Sequence, residues 1–261
     1  MERELRNRLS ESKRIVVKYG TRALSNDLGR LNKKRFSEIA KDISSLMTNG
    51  KQVVLVTSGA IGAGLEELGA EKRPTELLEL QSAAAIGQAK LIDLYSKCFK
   101  AHGVVVAQIL LTREDFQNKN RISNFCSTVN SLFEKGVLPI INENDAITSD
   151  EIQFGDNDLL SSLVATELDA DALVLASTVN GFYSDLEKGI RVSHLSEVNE
   201  EDLLKAKGKG GEMSSGGMSS KLKSAQAFTE KGGLALILDG RSENVLQDAF
   251  SEKDIGTIIG K

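Results

Sequence analysis

Two lysines and a run of carboxylates and amides are the residues in this sequence best suited to chemistry. Lys18 ends an apolar segment, RIVVK from Arg14, directly before Tyr19-Gly20-Thr21. An ammonium group at a buried strand end is costly unless an anion meets it, so one reading is a phosphate-facing lysine and the other an exposed strand-end lysine. Gly20 would let the backbone approach that anion closely. Lys221 falls in the first turn of a segment with helical spacing (Met218, Leu222, Ala225, Phe228), where a cation is disfavoured unless something anionic is at hand. Between them lies PIINENDAITSDEIQFGDNDLL, Pro139 to Leu160, in which a buried strand gives way to Asn142, Glu143, Asn144, Asp145, Asp156, Asn157 and Asp158. Acidic groups there suit an ammonium group and amides suit carboxylates. The same run is also what a polar loop before an acidic helix start looks like.

Three small-residue stretches follow apolar segments or precede a helix, where backbone N–H groups converge on anions. They are Thr57-Ser58-Gly59-Ala60-Ile61-Gly62-Ala63-Gly64, the stretch opening at Ser177-Thr178, and KGKGGEMSSGG from Lys207 to Gly217, expected to be mobile before substrate binds. Lysines, anion loops and carboxylates together point to phosphoryl transfer, which needs positioning and charge neutralisation more than covalent chemistry. If the acceptor is itself a carboxylate, two anions must meet, and a cation on each side is the natural device. The glycines do not fit GxGxxG, and GxxxxGK[ST], HRD and DFG are missing, so a dinucleotide fold, a P-loop kinase and a protein kinase are all excluded. Asp156 and Asp158 point to different sides of a helix; Asp158 is assigned to the lysines and Asp156 to the substrate side.

These groups need a scaffold. A chain of 261 residues with 40% hydrophobic content, 23 Gly and 2 Pro suits one large α/β domain, residues 1–261, with tight turns. Helices are expected at Leu31 to Thr48, Glu76 to Lys100 (one long helix or two joined ones), Arg121 to Glu134, Asp156 to Glu167 and from Met218. Strands are expected at 14–18, 52–56, 104–111, 137–141, 172–176, 234–238 and 256–259. Alternation of apolar strands with helices predicts a three-layer α/β/α sandwich around a mostly parallel sheet. The small centre of the long helix, Ser82 to Gly87, is expected to pack on the sheet, and Thr112 to Lys119 to form a loop over the pocket or a subunit contact. Residues 1–12 are charged and lack an apolar core, so they read as disordered or loosely attached, not as a signal peptide. No apolar run approaches the ~18 residues of a membrane span, and a net charge of −4 argues against nucleic acid, which leaves a cytoplasmic protein. Cys98 and Cys126 have no metal-ligand spacing and read as reduced thiols; His102 and His194 are isolated and read as structural.

Seven motifs, in order along the chain, resemble the glutamate 5-kinase branch of the amino acid kinase family. They are VVKYGT (from Val16), VTSGAIGAG (from Val56), AAIGQAKLI (from Ala84), QILLTREDF (from Gln108), PIINENDA, FGDNDLLSS and GGMSSK. The resemblance implies ATP- and Mg²⁺-dependent phosphorylation of the glutamate γ-carboxylate, the first step of proline biosynthesis. It implies that Lys18 and Lys221 stabilise the moving phosphoryl group and that Asp158 organises them. Ser58, Gly59, Ala60, Asn142, Asp145, Asp156 and Asn157 would hold L-glutamate. Lys18, Gly20, Ser177, Thr178 and Ser215, Gly216, Gly217, Met218, Ser219, Ser220 and Lys221 would contact ATP. Mg²⁺ would ride on phosphates and water, with no protein ligand. L-proline as feedback inhibitor, a glutamyl-phosphate reductase as partner and a homo-oligomer follow from the same resemblance. Many relatives carry Thr-Asp where this chain has Ser177-Thr178, and many carry a C-terminal PUA domain that is not expected here. The rival expectations are a sibling kinase with another acceptor, such as N-acetylglutamate, and a non-catalytic amino-acid sensor on the same fold.

Overall fold

The structure, a computed structural model, describes residues 2–26, 30–148, 157–206, 217–251 and 253–261. Among these residues the central sheet has eight strands: β1 (Arg14–Tyr19), β2 (Gln52–Thr57), β3 (Val106–Leu111), β4 (Leu138–Glu143), β5 (Ala172–Ser177), β8 (His194–Leu195), β9 (Leu234–Asp239) and β10 (Thr257–Ile259). Their order is β3-β4-β2-β1-β5-β9-β10-β8. All pairings are parallel except β9 with β10. A separate antiparallel ribbon joins β6 (Tyr183–Asp185) to β7 (Ile190–Arg191).

The two-residue period of the strands sorts their side chains between two helical layers. Ile15, Val17 and Tyr19 of β1 pack with α3 (Lys33–Thr48) and α5 (Leu77–Lys100), through residues such as Phe36, Ile39, Leu91 and Tyr95. Val16 faces the other layer, α6 (Lys119–Glu134), α7 (Asn157–Glu167) and α9 (Met218–Thr229). Lys18, two residues on from Val16, points the same way, and so reaches α7 and α9. The amphipathic spacing of α3 buries Phe36, Ile39, Ile43 and Leu46; each contributes about 1.5–3 kcal/mol. Asn32 caps its start by accepting from the Lys34 amide, and Gly50, at φ 82°, turns the chain beyond its end.

The chain builds β1, β2, β3 and β4 on one side and then crosses to β5 on the other. The switch point therefore falls between β1 and β5, and the crevice outside their carboxyl ends is where open α/β sheets bind ligands. Two short helices, α2 (Thr21–Leu24) and α4 (Ala60–Glu67), contribute residues to it, whereas α10 (Val245–Ala249), beyond β9, packs on α3, where the Leu246 amide donates to Asp42. A further helix, α8 (Glu200–Ala206), lies against the second layer through Leu203 and Ala206.

Three expectations are corrected here. Residues 2–11 are not loosely attached: they form α1 (Glu2–Glu11), with Leu5 and Leu9 one turn apart in the core. Its buried Arg6 donates to the carbonyls of Lys253 and Ile255 (3.1 and 3.0 Å) and pairs with Asp254 and Glu2 (2.8 and 3.1 Å), which satisfies the charge. Lys51 Nζ then donates to the carbonyls of Ser10 and Ser12, each at 2.7 Å, and ties down the helix end. The small centre of α5 meets α4 rather than the sheet: a Cβ on Gly87 would collide with the Ala60 carbonyl, and one on Gly64 with the Ala83 carbonyl. Thr112 to Lys119 forms a capped 3-10 turn, Arg113–Gln117, leading into α6, and lines no part of the site cavity, which removes the loop-over-the-pocket alternative and leaves the subunit contact. Thr112 and Asp115 close a reciprocal capping box.

Cys98 and Cys126 are unpaired with each other and half-buried, and His194 contacts the carbonyl of Gly260 at 3.2 Å. Among the described residues no helix is long and apolar enough to cross a membrane.

Candidate active site

A cavity of about 1300 Å³ opens at the switch point. It is lined by Lys18 and Gly20 from the end of β1, and by Ser58, Gly59 and Ala60 between β2 and α4. Asn142 and Asp145 after β4, Asn157 at the start of α7, Ser177 and Thr178 after β5, and Gly217, Met218 and Lys221 of α9 complete the predicted part of its wall. Ser219 and Ser220 share the first turn of α9 without lining the cavity. Asp156, Ser215 and Gly216, and the rest of the Lys207 to Gly216 stretch, lie outside the described residues.

The charged centre is built from three elements. Lys18 Nζ lies 2.6 Å from Oδ1 of Asp158, and Lys221 Nζ lies 2.9 Å from its Oδ2. The three residues are 3%, 5% and 0% exposed, for Lys18, Lys221 and Asp158 in turn. Asp158 sits in the first turn of α7, where the helix dipole favours a negative charge. Burial by itself would raise its carboxyl, but Lys18 and Lys221 more than offset that and hold it below the ordinary carboxylate range. The trio sums to one net positive charge beside the cavity, a local field that attracts an anion. Asp158 itself lies behind the wall, its two oxygens turned to the two lysines.

Gly59 caps α4 at φ 106°, a left-handed conformation that favours glycine, and so aims the first N–H groups of α4 at the cavity. Asn157 Nδ2 donates to Ser58 Oγ at 2.8 Å, to Asn142 Oδ1 at 2.9 Å and, more closely, to the Thr57 carbonyl. Asn142 Nδ2 donates in turn to Gln88 Oε1 at 2.9 Å. Asp145 is pushed up to about 6 by burial, with Arg73 pulling it back down.

Several contacts in and around the site have no counterpart in the sequence reading. Gln88 and Tyr95, one heptad apart on α5, both reach polar strand ends; Tyr95 and Thr57 hydroxyls are 2.8 Å apart. Their signal was a polar atom on the buried face of an amphipathic helix, in line with Ala84 and Leu91. Arg22, Arg30 and Arg73 edge the cavity. Arg241 Nη2 donates to the Thr178 carbonyl at 2.5 Å, and Nε donates to Asp239 at 3.1 Å. Asp239 pairs in register with Ser177 across β5 and β9, so a carboxylate stands beside the Ser177-Thr178 turn after all. Among the described residues no group of three or more His, Cys, Asp or Glu side chains is placed to cage a metal.

Comparison with known proteins shows the family and the fold. A sequence model described as the amino acid kinase family matches residues 13–238. The glutamate 5-kinase of Clostridium perfringens is 41% identical, covering 98% of this chain and 98% of that one. The glutamate 5-kinase of Clostridium acetobutylicum is 39% identical over 96% of each. In fold, the chain is similar to the carbamate kinase from Giardia lamblia bound to AMP-PNP, with a TM-score of 0.66 at 18% identity over 97% of this chain and 99% of the other.

Proposed function

This chain belongs to the amino acid kinase family, and from that premise we propose that it transfers the γ-phosphoryl group of ATP to the γ-carboxylate of L-glutamate. The observation that carries the reading is the pair of lysines on one buried carboxylate, both lysines lining one large cavity at the switch point. A γ-carboxylate oxygen attacks the γ-phosphorus, the bond to the β-phosphate oxygen breaks, and ADP leaves with that electron pair. The products are L-glutamyl 5-phosphate and ADP. Lys18 and Lys221 neutralise charge on the phosphoryl group as two anions are brought together, and Asp158 holds both ammonium groups in place.

On the acceptor side, Asp145 and Asn157 receive the α-ammonium group, while Ser58 and the amides of Gly59 and Ala60 receive a carboxylate; Asn142 supports Asn157 from behind. Asp156 adds to the acceptor side. On the nucleotide side, Gly20, Ser177, Thr178 and the run from Ser215 to Lys221 meet ATP. Mg²⁺ enters as part of the substrate on the ATP phosphates, in keeping with a metal that retains most of its water. Asp158, with both oxygens on ammonium groups, is not its ligand.

The product is a reactive acyl phosphate, and a glutamyl-phosphate reductase is the natural consumer. L-proline, sharing the ammonium and carboxylate of glutamate, is the expected inhibitor at the acceptor half. A cytoplasmic homo-oligomer completes the proposal. The test is ATP- and Mg²⁺-dependent γ-glutamyl hydroxamate formation with glutamate, aspartate and N-acetylglutamate compared. Turnover of glutamate alone supports the reading; preference for N-acetylglutamate moves the chain to a sibling activity, and no turnover with any acceptor favours a sensor.

A further inference from the structure

The side chains of Asn142 and Asn157 can each be oriented two ways, and backbone groups decide both. The Thr57 carbonyl can only accept, so the Asn157 atom that meets it is nitrogen. The Glu143 amide can only donate, so the Asn142 atom 2.9 Å away is oxygen. With Asn142 Oδ1 serving Glu143 and Asn157, its Nδ2 must be received elsewhere, and Gln88 Oε1 receives it at 2.9 Å. Asn142 and Asn157 are 2% and 4% exposed, so water has little access to correct a misplaced amide. Asn157 Nδ2 is committed to the protein, and the atom left to meet a ligand is Oδ1, an acceptor.

Gln88 reaches this network because the residue before it is glycine. Gly87 lets α5 close on the Ala60 carbonyl, which leaves Gln88 facing the end of β4. Gln88 is not part of the substrate cavity's wall; it lines a second groove, of about 520 Å³, that adjoins that cavity by sharing Ala60 and Asp145 with it. Its hydrogen bond to Asn142, which does line the substrate cavity, is its route to that cavity.

We propose that Gln88 is a positioning residue for acceptor recognition: by accepting from Asn142 it fixes the amide relay that presents Asn157 Oδ1 to the α-ammonium group of the substrate. This rests on the reading of the acceptor as an amino acid. Gln88→Leu keeps the bulk and removes the acceptor; Gln88→Glu keeps an acceptor oxygen at the same reach. The readouts are KM for glutamate and for ATP, kcat, the thermal midpoint, and the preference for glutamate over glutarate, which has both carboxylates and no amine.

Q88L is expected to raise the glutamate KM about tenfold and to reduce the preference over glutarate by a similar factor, with the ATP KM changed less than about twofold. Q88E is expected to stay within about threefold of the native protein on every readout, since the hydrogen bond is kept. A Q88L protein with native glutamate KM and native preference overturns the proposal. So does a Q88E protein as impaired as Q88L, or a Q88L protein whose losses in kcat and both KM values follow only a lowered thermal midpoint. Gln88→Met is read in the same way if the leucine variant does not fold. A native protein without glutamate turnover overturns the functional reading and this proposal with it, whereas an active native protein with an indifferent Q88L overturns this proposal alone.

Discussion

Lys18 on β1 and Lys221 on α9 are separated by most of the chain, yet they meet opposite oxygens of the same carboxylate, at 2.6 and 2.9 Å. Strand alternation turns Lys18 toward the α7 and α9 layer, and α7 and α9 both begin at that end of the sheet with their first turns toward it. A carboxylate between two ammonium groups keeps them from repelling each other while leaving the cluster positive. A site built to bring an anionic acceptor to an anionic phosphoryl group needs that combination.

Asp158→Asn replaces the shared acceptor by an amide that can serve one lysine and opposes the other. Removing one member of a buried ion cluster costs about 3–5 kcal/mol, so the midpoint of urea unfolding should fall accordingly. Turnover should fall about 10²–10³-fold at saturating substrates, because the phosphoryl-stabilising groups lose their geometry. The variant should also lose part of the acid sensitivity of the native protein. The native carboxyl titrates lower folded than unfolded, so its stabilisation is complete above the unfolded value and is lost as pH falls through the folded one.

Asp145 predicts a pH dependence of opposite origin. Burial raises its carboxyl to about 6, against the pull of Arg73. Below that pH the free enzyme holds a neutral acid where the ammonium group of glutamate needs a carboxylate. The glutamate kcat/KM should therefore drop as pH falls through about 6. Asp145→Asn should be poor throughout and should flatten that limb. The linkage has the reverse sign to that of Asp158. Between the unfolded carboxylate value and about 6 the folded state binds the proton more tightly, so this group's contribution to stability declines as pH rises.

Gly87→Ala should be the most disruptive methyl addition in α5. The new Cβ would collide with backbone atoms of Ala60 and Gly64, which have no rotamer to escape through. Forcing α5 off α4 should destabilise the protein by about 1–3 kcal/mol or more, read as a lowered thermal midpoint. The glutamate KM should rise with it, since α4 carries the Gly59-Ala60 amides and α5 carries Gln88.

Arg241→Ala tests the nucleotide side. It removes the donor to the Thr178 carbonyl and the guanidinium that pairs with Asp239, leaving Asp239 only the residue-241 amide of these partners. The ATP KM should rise about three- to tenfold, with the glutamate KM unchanged, as fits the loss of one hydrogen bond at a partly exposed turn.

Much of this architecture could be read in the chain beforehand, for reasons that differ by residue. Lys18 and Lys221 stood out because a cation at a buried strand end or in a helix's first turn calls for an anion. Asp158 followed from the two-residue offset to Asp156, and the apolar strands announced a sheet covered on both faces. Gln88 and Tyr95 were hidden in helical spacing, since a polar tip on a buried face looks like core until its partner is known. Arg241 met Thr178 only through the register of β5 and β9, which no local pattern encodes. The antiparallel entry of β10 was invisible for a similar reason, because strand direction depends on the connection and not on the strand. The stripe of α1 was masked by its charge: Leu5 and Leu9 sit among Glu and Arg, and Arg6 is buried only because the turn near Ile255 supplies carbonyls.

The most direct measurement of the central claim follows an oxygen atom. Glutamate carrying oxygen-18 in both γ-carboxylate positions is incubated with the protein, ATP, Mg²⁺ and hydroxylamine, and the released phosphate is analysed by mass spectrometry. Attack by the carboxylate makes a labelled oxygen the bridge to phosphorus. Hydroxylamine then displaces phosphate at the carbonyl carbon, so the phosphate should carry one heavy oxygen for each hydroxamate formed. Phosphate without the label would mean that water, not the glutamate carboxylate, had received the phosphoryl group, and would contradict the account.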